Sequence, residues 1–140
     1  MITFSGSADN HGGVVSRNLD RTHEVAALLP LKPQDYHILF VLLDGERHGY
    51  GMVKEIERQT GGQIRLEAGN LYRSVRRLIK QGLISESDRR PATESDDERR
   101  RYYGISEFGR QVVTAETDRM RDVVAAADAR LAVSDGAVVR

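Results

Sequence analysis

Between Ala68 and Gln81 the chain sorts its residues by side. At about 100° per residue, with Leu71 set at zero, Val75, Leu78 and Ile79 fall between about −20° and 80°. On the same count Asn70, Arg73, Arg76, Arg77 and Lys80 fall between about 140° and 260°. Every basic residue of this helix lies opposite its apolar stripe, and no acid shares the segment. Tyr72 and Ser74 stand on the two flanks. Such a helix must lay one stripe on a core and turn a cationic face to the outside.

The rest of the chain has to supply that core. Its 140 residues imply one domain, or one domain with an appendage. With 39% hydrophobic and 30% charged residues there is material for a core and too much charge for a membrane protein. The longest apolar run, Ile38 to Leu43, falls far short of the roughly 20 residues that a transmembrane helix needs. The first residues lack a basic start followed by an apolar stretch, so no signal peptide is expected and the chain is placed in the cytoplasm. Having no cysteine, the chain has no disulfide, iron–sulfur cluster, thiolate zinc site or cysteine nucleophile.

Turn and breaker residues divide the sequence. Residues 1–30 form an N-terminal extension, glycine- and serine-rich to about residue 17 and expected to be disordered there. A short helix is expected from Asn18 to Leu29, before Pro30 and Pro33 interrupt the chain. Helices are expected over Gln34–Leu43 and Tyr50–Gln59, the second stopping at Gly61-Gly62, and then over Ala68–Gln81, stopping at Gly82. Gln63–Leu66 is left open between a short strand and a connector. Leu83–Ser87 and Arg101–Ile105 read as two strands, and Asp88–Arg100, with Pro91 and many charges, as the long loop of their hairpin. Ser106 starts a last helix that reaches about Leu131. The fold class is therefore mainly α with a small β-hairpin: a winged helix-turn-helix over 31–106, a dimerisation helix over 107–133 and a flexible tail over 134–140.

Two features point to a second copy of the chain. The helix Gln34–Leu43 is apolar nearly all round, and Ile38, Val41 and Leu42 are assigned to a side that another subunit covers. In the last helix Val113, Met120 and Ala127 recur at seven, as do Val124 and Leu131, with Val112 and Val123 between. A seven-residue repeat keeps a seam facing a partner helix.

Net charge is zero, from 21 basic and 21 acidic residues, so bulk electrostatics names no partner. The distribution does. Arg65–Gly82 holds five basic residues against one acid, as expected of a nucleic-acid reader rather than a nonspecific polycation. Arginine at a groove supplies bidentate contacts to guanine, asparagine does so to adenine, and further basic residues hold phosphate. Asn70, Tyr72, Arg73, Ser74, Arg76, Arg77 and Lys80 are the candidates on this helix. Arg89, Arg90, Arg99 and Arg100 stand at the two bases of the hairpin loop, where a wing places arginines against the backbone or minor groove.

The segments His48-Gly49-Tyr50, Gly61-Gly62, Gly69-Asn70-Leu71-Tyr72, Arg77-Leu78, Gly82-Leu83-Ile84 and Arg100-Arg101-Tyr102-Tyr103-Gly104-Ile105-Ser106 resemble the PadR family of winged-helix transcriptional regulators. The resemblance runs over roughly Leu31–Leu131. It implies a homodimer joined through the last helix that binds operator DNA, usually as a repressor, and a place in the shorter subgroup with one such helix. It adds Tyr50 to the DNA-facing residues. A small-molecule effector of unknown identity is a further expected partner class. Some relatives hold flat aromatic drugs between tryptophans, and this chain has no tryptophan. Glu67-Ala68 stands where Ser-Pro is frequent, and Arg73 where proline is.

No catalytic signature competes with this reading. His11, His23, His37 and His48 lack metal-ligand spacing, and the glycine pairs lack the strand–loop–helix setting of a phosphate loop. No enzyme activity, metal or cofactor is expected. The alternative is a winged-helix protein-interaction module that binds no DNA.

Overall fold

The computed structural model describes residues 20–87 and 101–138. A first helix, α1 (20–27), precedes α2 (Pro33–Val41), a two-residue strand β1 (Arg47–His48), α3 (Gly49–Gln59) and α4 (Ala68–Lys80). Strands β2 (Ile84–Ser87) and β3 (Tyr102–Ile105) follow, and then α5 (Glu107–Val138). Helix α2 starts with Pro33, whose fixed φ suits a first turn. Residues 63–67 are a connector without regular structure.

The sheet has three antiparallel strands in the order β1-β3-β2 rather than the two expected. Arg47 pairs with Tyr103, and Ile84 with Ile105. Two residues carry no alternation, so β1 leaves no periodic signal in the sequence. Arg47 Nε donates to the Val41 carbonyl at 2.9 Å, which ties this strand to the end of α2.

The core gathers Ile38, Leu39, Val41 and Leu42 from α2 with Met52 and Ile56 from α3 and Leu71, Val75 and Leu78 from α4. Leu83, Ile84, Tyr103, Val112 and Val113 complete it. Helix α2 lies at the centre, in contact with α3, α4 and α5. Its all-round apolar character is thereby satisfied within one chain. This corrects the assignment of Ile38, Val41, Leu42 and Val113 to a subunit interface: none is more than 3% exposed. Helix α5 provides the second side that the sequence reading gave to a partner. Burial of each such side chain stabilises the fold by about 1.5–3 kcal/mol.

Helix α5 is fixed at its start by one hydroxyl. Ser106 Oγ accepts from the Gly109 N–H at 3.0 Å, the N-cap expected of it, and donates to the Gly82 carbonyl at 2.5 Å. Gly109 passes so close to β2 that a Cβ there would stand 2.2 Å from the Leu83 carbonyl oxygen. Further along, the buried Glu116 carboxylate accepts from the Leu31 N–H at 2.5 Å and from Arg119. Tyr36 and Thr117 share a hydrogen bond of 2.9 Å. The extension joins the same assembly: Val25, Leu28 and Leu29 pack against the core, and the Arg21 guanidinium lies 4.9 Å from the centre of the Phe108 ring.

From Arg121 through Ser134 every residue of α5 is exposed. The helix spans 32 residues, about 48 Å, and continues to Val138 where a flexible tail was expected from residue 134. The segment Ser134-Asp135-Gly136 carries a single glycine and no proline, a cost of only about 1 kcal/mol to an established helix.

Candidate nucleic-acid interface

Helices α3 and α4 form the helix-turn-helix. His48 caps α3, its Nδ1 accepting from the Gly51 N–H at 3.0 Å. The chain leaves α3 through Gly61 and Gly62, at φ values of 60° and 83°, a left-handed pair that side chains with a Cβ rarely adopt. Helix α4 then begins at Ala68, and Glu67 at its N-cap position makes no side-chain cap.

The outer face of α4 carries four polar residues. Asn70, Arg73, Arg76 and Lys80 are exposed, and Arg73 donates to Asn70 Oδ1 at 3.1 Å. None of the three cations forms an ion pair with another described residue. Tyr72 is half-buried, and its ring reaches toward Gly49 at the start of α3. Together with Arg76, Val75 and Ile79 it walls a cleft of about 330 Å³ against Glu86, Arg101 and Tyr103 of the sheet. Arg101, just before β3, is paired with Glu86 of β2 at 3.2 Å. Burial, with the Glu86 charge nearby, pushes the Tyr103 phenol above its usual range, so it stays neutral and remains a hydrogen-bond donor.

Two of the expected contact residues have partners inside the domain. Ser74 is buried and its hydroxyl accepts from Gln34 Nε2 at 2.6 Å. Arg77 is turned toward α2, where it meets Asp35 Oδ1 at 2.6 Å. The packed arc of α4 is thus rotated toward the Ser74 flank, because α2 lies there. On the opposite flank Ile79, counted into the core stripe, is 37% exposed. Arg89, Arg90, Arg99 and Arg100 lie outside the described residues.

At the start of α3 Tyr50 is 62% exposed. Its ring lies parallel to that of His48, 6.5 Å away, and Tyr102 meets His48 edge-on at 5.7 Å. Lys54 Nζ stands 5.2 Å from the centre of the Tyr50 ring. A hydrogen bond that the Lys54 ammonium donates to the Tyr50 side chain holds its pKa above the usual range. The sequence reading missed Lys54, although its (i, i+4) spacing from Tyr50 on one helix face was available to it. Among the described residues no cluster of three His, Asp or Glu side chains is placed to hold a metal ion, and no helix is long and apolar enough to cross a membrane.

Three helices with a short turn between the last two, closed by a β-hairpin, define a winged helix-turn-helix protein. The chain belongs to the PadR-like family of transcriptional regulators, whose family model matches residues 38–115, more than half its length. Nothing in that family assignment is enzymatic.

Solved structures with the same fold include a PadR family transcription regulator from Clostridium difficile. That structure is 20% identical, with a TM-score of 0.60 over 71% of this chain and 99% of the other. A transcriptional regulator from Clostridium thermocellum is 24% identical, with a TM-score of 0.56 over 68% and 86%. Bacillus subtilis PadR, solved in complex with operator DNA, is 20% identical with a TM-score of 0.51, over 60% of this chain and 46% of that one. At these identities the likeness is one of fold. No curated protein shows significant sequence similarity to the chain.

Proposed function

We propose that this chain is a sequence-specific reader of double-stranded DNA that represses transcription as a homodimer. The observation that carries the reading is the outer face of α4, where Asn70, Arg73, Arg76 and Lys80 project with no acid among them. An exposed basic face on the second helix of a helix-turn-helix suits the major groove. Tyr50 and Lys54 of α3 add a hydroxyl and an ammonium suited to phosphate. Tyr72, on the cleft wall, belongs to the same surface, and Arg89, Arg90, Arg99 and Arg100 are assigned to the wing. The operator complex of Bacillus subtilis PadR supports the same mode of use for this fold.

The homodimer rests on the far half of α5. Val123, Val124 and Leu131 are 55%, 57% and 60% exposed, and half-buried Met120 and exposed Ala127 continue the same stripe. A partner helix laid along this seam removes it from water. An effector of unknown chemistry is a further partner in this reading.

The test is a footprint of the full chain on DNA upstream of its own coding sequence, with affinity measured against salt. A protected stretch bound more tightly than scrambled duplex, with affinity falling steeply as salt rises, is the expected result. Absence of salt-sensitive binding to any duplex replaces this reading with that of a protein-interaction module. Raised reporter expression on deletion of the protein identifies the repressor, and lowered expression an activator.

A further inference from the structure

The first turn of α2 grips α4 at two points one helical turn apart. Gln34 Nε2 donates to Ser74 Oγ at 2.6 Å, and Arg77 donates to Asp35 Oδ1 at 2.6 Å. The Asp35 side chain is only 7% exposed, while that of Arg77 is 36% exposed, its guanidinium within reach of both α2 and the outer surface. Asp35 also lies in the first turn of its helix, where the dipole favours a negative charge. Arg77 can turn outward only by leaving a buried carboxylate without its partner, which is strongly unfavourable.

We infer that Asp35 is a specificity-determining residue of the DNA-reading surface, acting by holding Arg77 out of the groove and fixing the rotation of α4 about its axis. The inference rests on the DNA-binding reading and deepens it. With Arg77 held, α4 presents Asn70, Arg73, Arg76 and Lys80 in one fixed orientation. With Arg77 released, a fifth polar side chain enters the face from the α2 side. A loose cation beside a groove binds any phosphate, so release favours nonspecific DNA over the operator.

The experiment compares the intact protein with Asp35→Asn and with the double variant Asp35→Asn/Arg77→Met, each on operator and on scrambled duplex over a range of salt. Asp35→Asn keeps the size of the side chain and removes the charge that holds Arg77. Its salt slope is expected to steepen by about one unit on both duplexes, and its preference for operator to fall about tenfold. The double variant lacks both the buried anion and the cation. Its salt slope is expected to equal that of the intact protein, since Arg77 touches no phosphate there. An Asp35→Asn protein with unchanged slope and preference overturns the inference. So does a double variant shallower by about one unit, because Arg77 is then a DNA contact in the intact protein. If Asp35→Asn fails to fold, the double variant decides alone by the same criterion. Failure of the intact protein to bind either duplex is a different result, one that removes the DNA-binding reading itself.

Discussion

The hydroxyl of Tyr72 lies 2.9 Å from where a Cβ on Gly49 would stand, with the ring carbon bearing that hydroxyl at 3.3 Å. The His-Gly-Tyr segment that opens α3 and the Gly-Asn-Leu-Tyr segment that opens α4 are distant in sequence and meet at this point. A side chain at position 49 has to push the tip of that ring aside, and the ring in turn forms a wall of the cleft beside Arg76. Gly49→Ala should displace Tyr72 and cost about 1–3 kcal/mol of stability, measured by urea unfolding. Adding Tyr72→Phe removes the closest clash and should recover part of that loss. Equal losses in the single and double variants would falsify the assignment of the clash to the hydroxyl.

Gly109 and Gly69 are predicted to respond in opposite directions. A Cβ on Gly109 meets backbone at 2.2 Å and Ile105 Cγ1 at 2.7 Å, neither of which can swing aside. Gly109→Ala should therefore cost about 3 kcal/mol or more, since the junction of α5 with β2 has to open. Nothing lies within 4 Å of a Cβ on Gly69, inside the first turn of α4. Gly69→Ala should stabilise the chain by about 0.5 kcal/mol through helix propensity. Thermal unfolding of both variants reads the two signs directly.

Arg73 and Lys54 should separate base reading from phosphate holding. Arg73 projects from the first half of α4, the part that enters a groove in this architecture. Arg73→Ala is expected to cost about 1–3 kcal/mol on the operator and to relax preference at one base pair. Lys54→Ala is expected to weaken binding to all sequences alike and to make the salt slope shallower by about one unit. If Arg73→Ala loses equally on operator and scrambled duplex, Arg73 is a phosphate contact and base readout belongs to its neighbours.

Glutamate scanning along α5 should divide the helix into a core half and a partner half. Val113→Glu buries a charge inside the single chain and is expected to unfold it. Val124→Glu lies on the overhanging half, where the side chain is exposed in the single chain, and Met120→Glu at its edge, where the side chain is half-buried. Both should retain the helical circular dichroism of a folded domain and run as monomers by light scattering. A Val124→Glu protein that remains a dimer at micromolar concentration moves the interface off this seam.

The elements that shape the interface were legible to different degrees. Helix α4 was readable because its apolar residues recur at helical spacing and its cations share one arc. Angular arithmetic gives the direction of each side chain but not where the neighbouring helix lies, so Ser74 was left on a flank and Arg77 placed on the outer face. The partner of Arg77 is 42 positions away in sequence, beyond any local signal. Helix α2 showed correctly that it needs covering on two sides. Its composition could not distinguish α5 from a second subunit. Glu116, buried beneath Leu31, reads in the sequence as one more charge on a long helix.

The two hydrogen bonds of the Ser106 hydroxyl join the turn after α4 to the beginning of α5 through a single oxygen atom, beside the bond from the Ser106 N–H to the Leu83 carbonyl. Beyond that atom extends a rod of about 48 Å, most of its outer half touching nothing in its own domain. A tilt of about 5° at the joint carries the far end of such a rod roughly 4 Å sideways. In a pair clasped along these rods the same leverage runs in reverse: whatever shifts the far ends swings the two reading helices apart or together. The distance between the two half-sites that such a pair can span then follows from how Ser106, Val112, Val113 and Glu116 seat the rod on its domain, and the gearing between clasp and reader from the length of the rod.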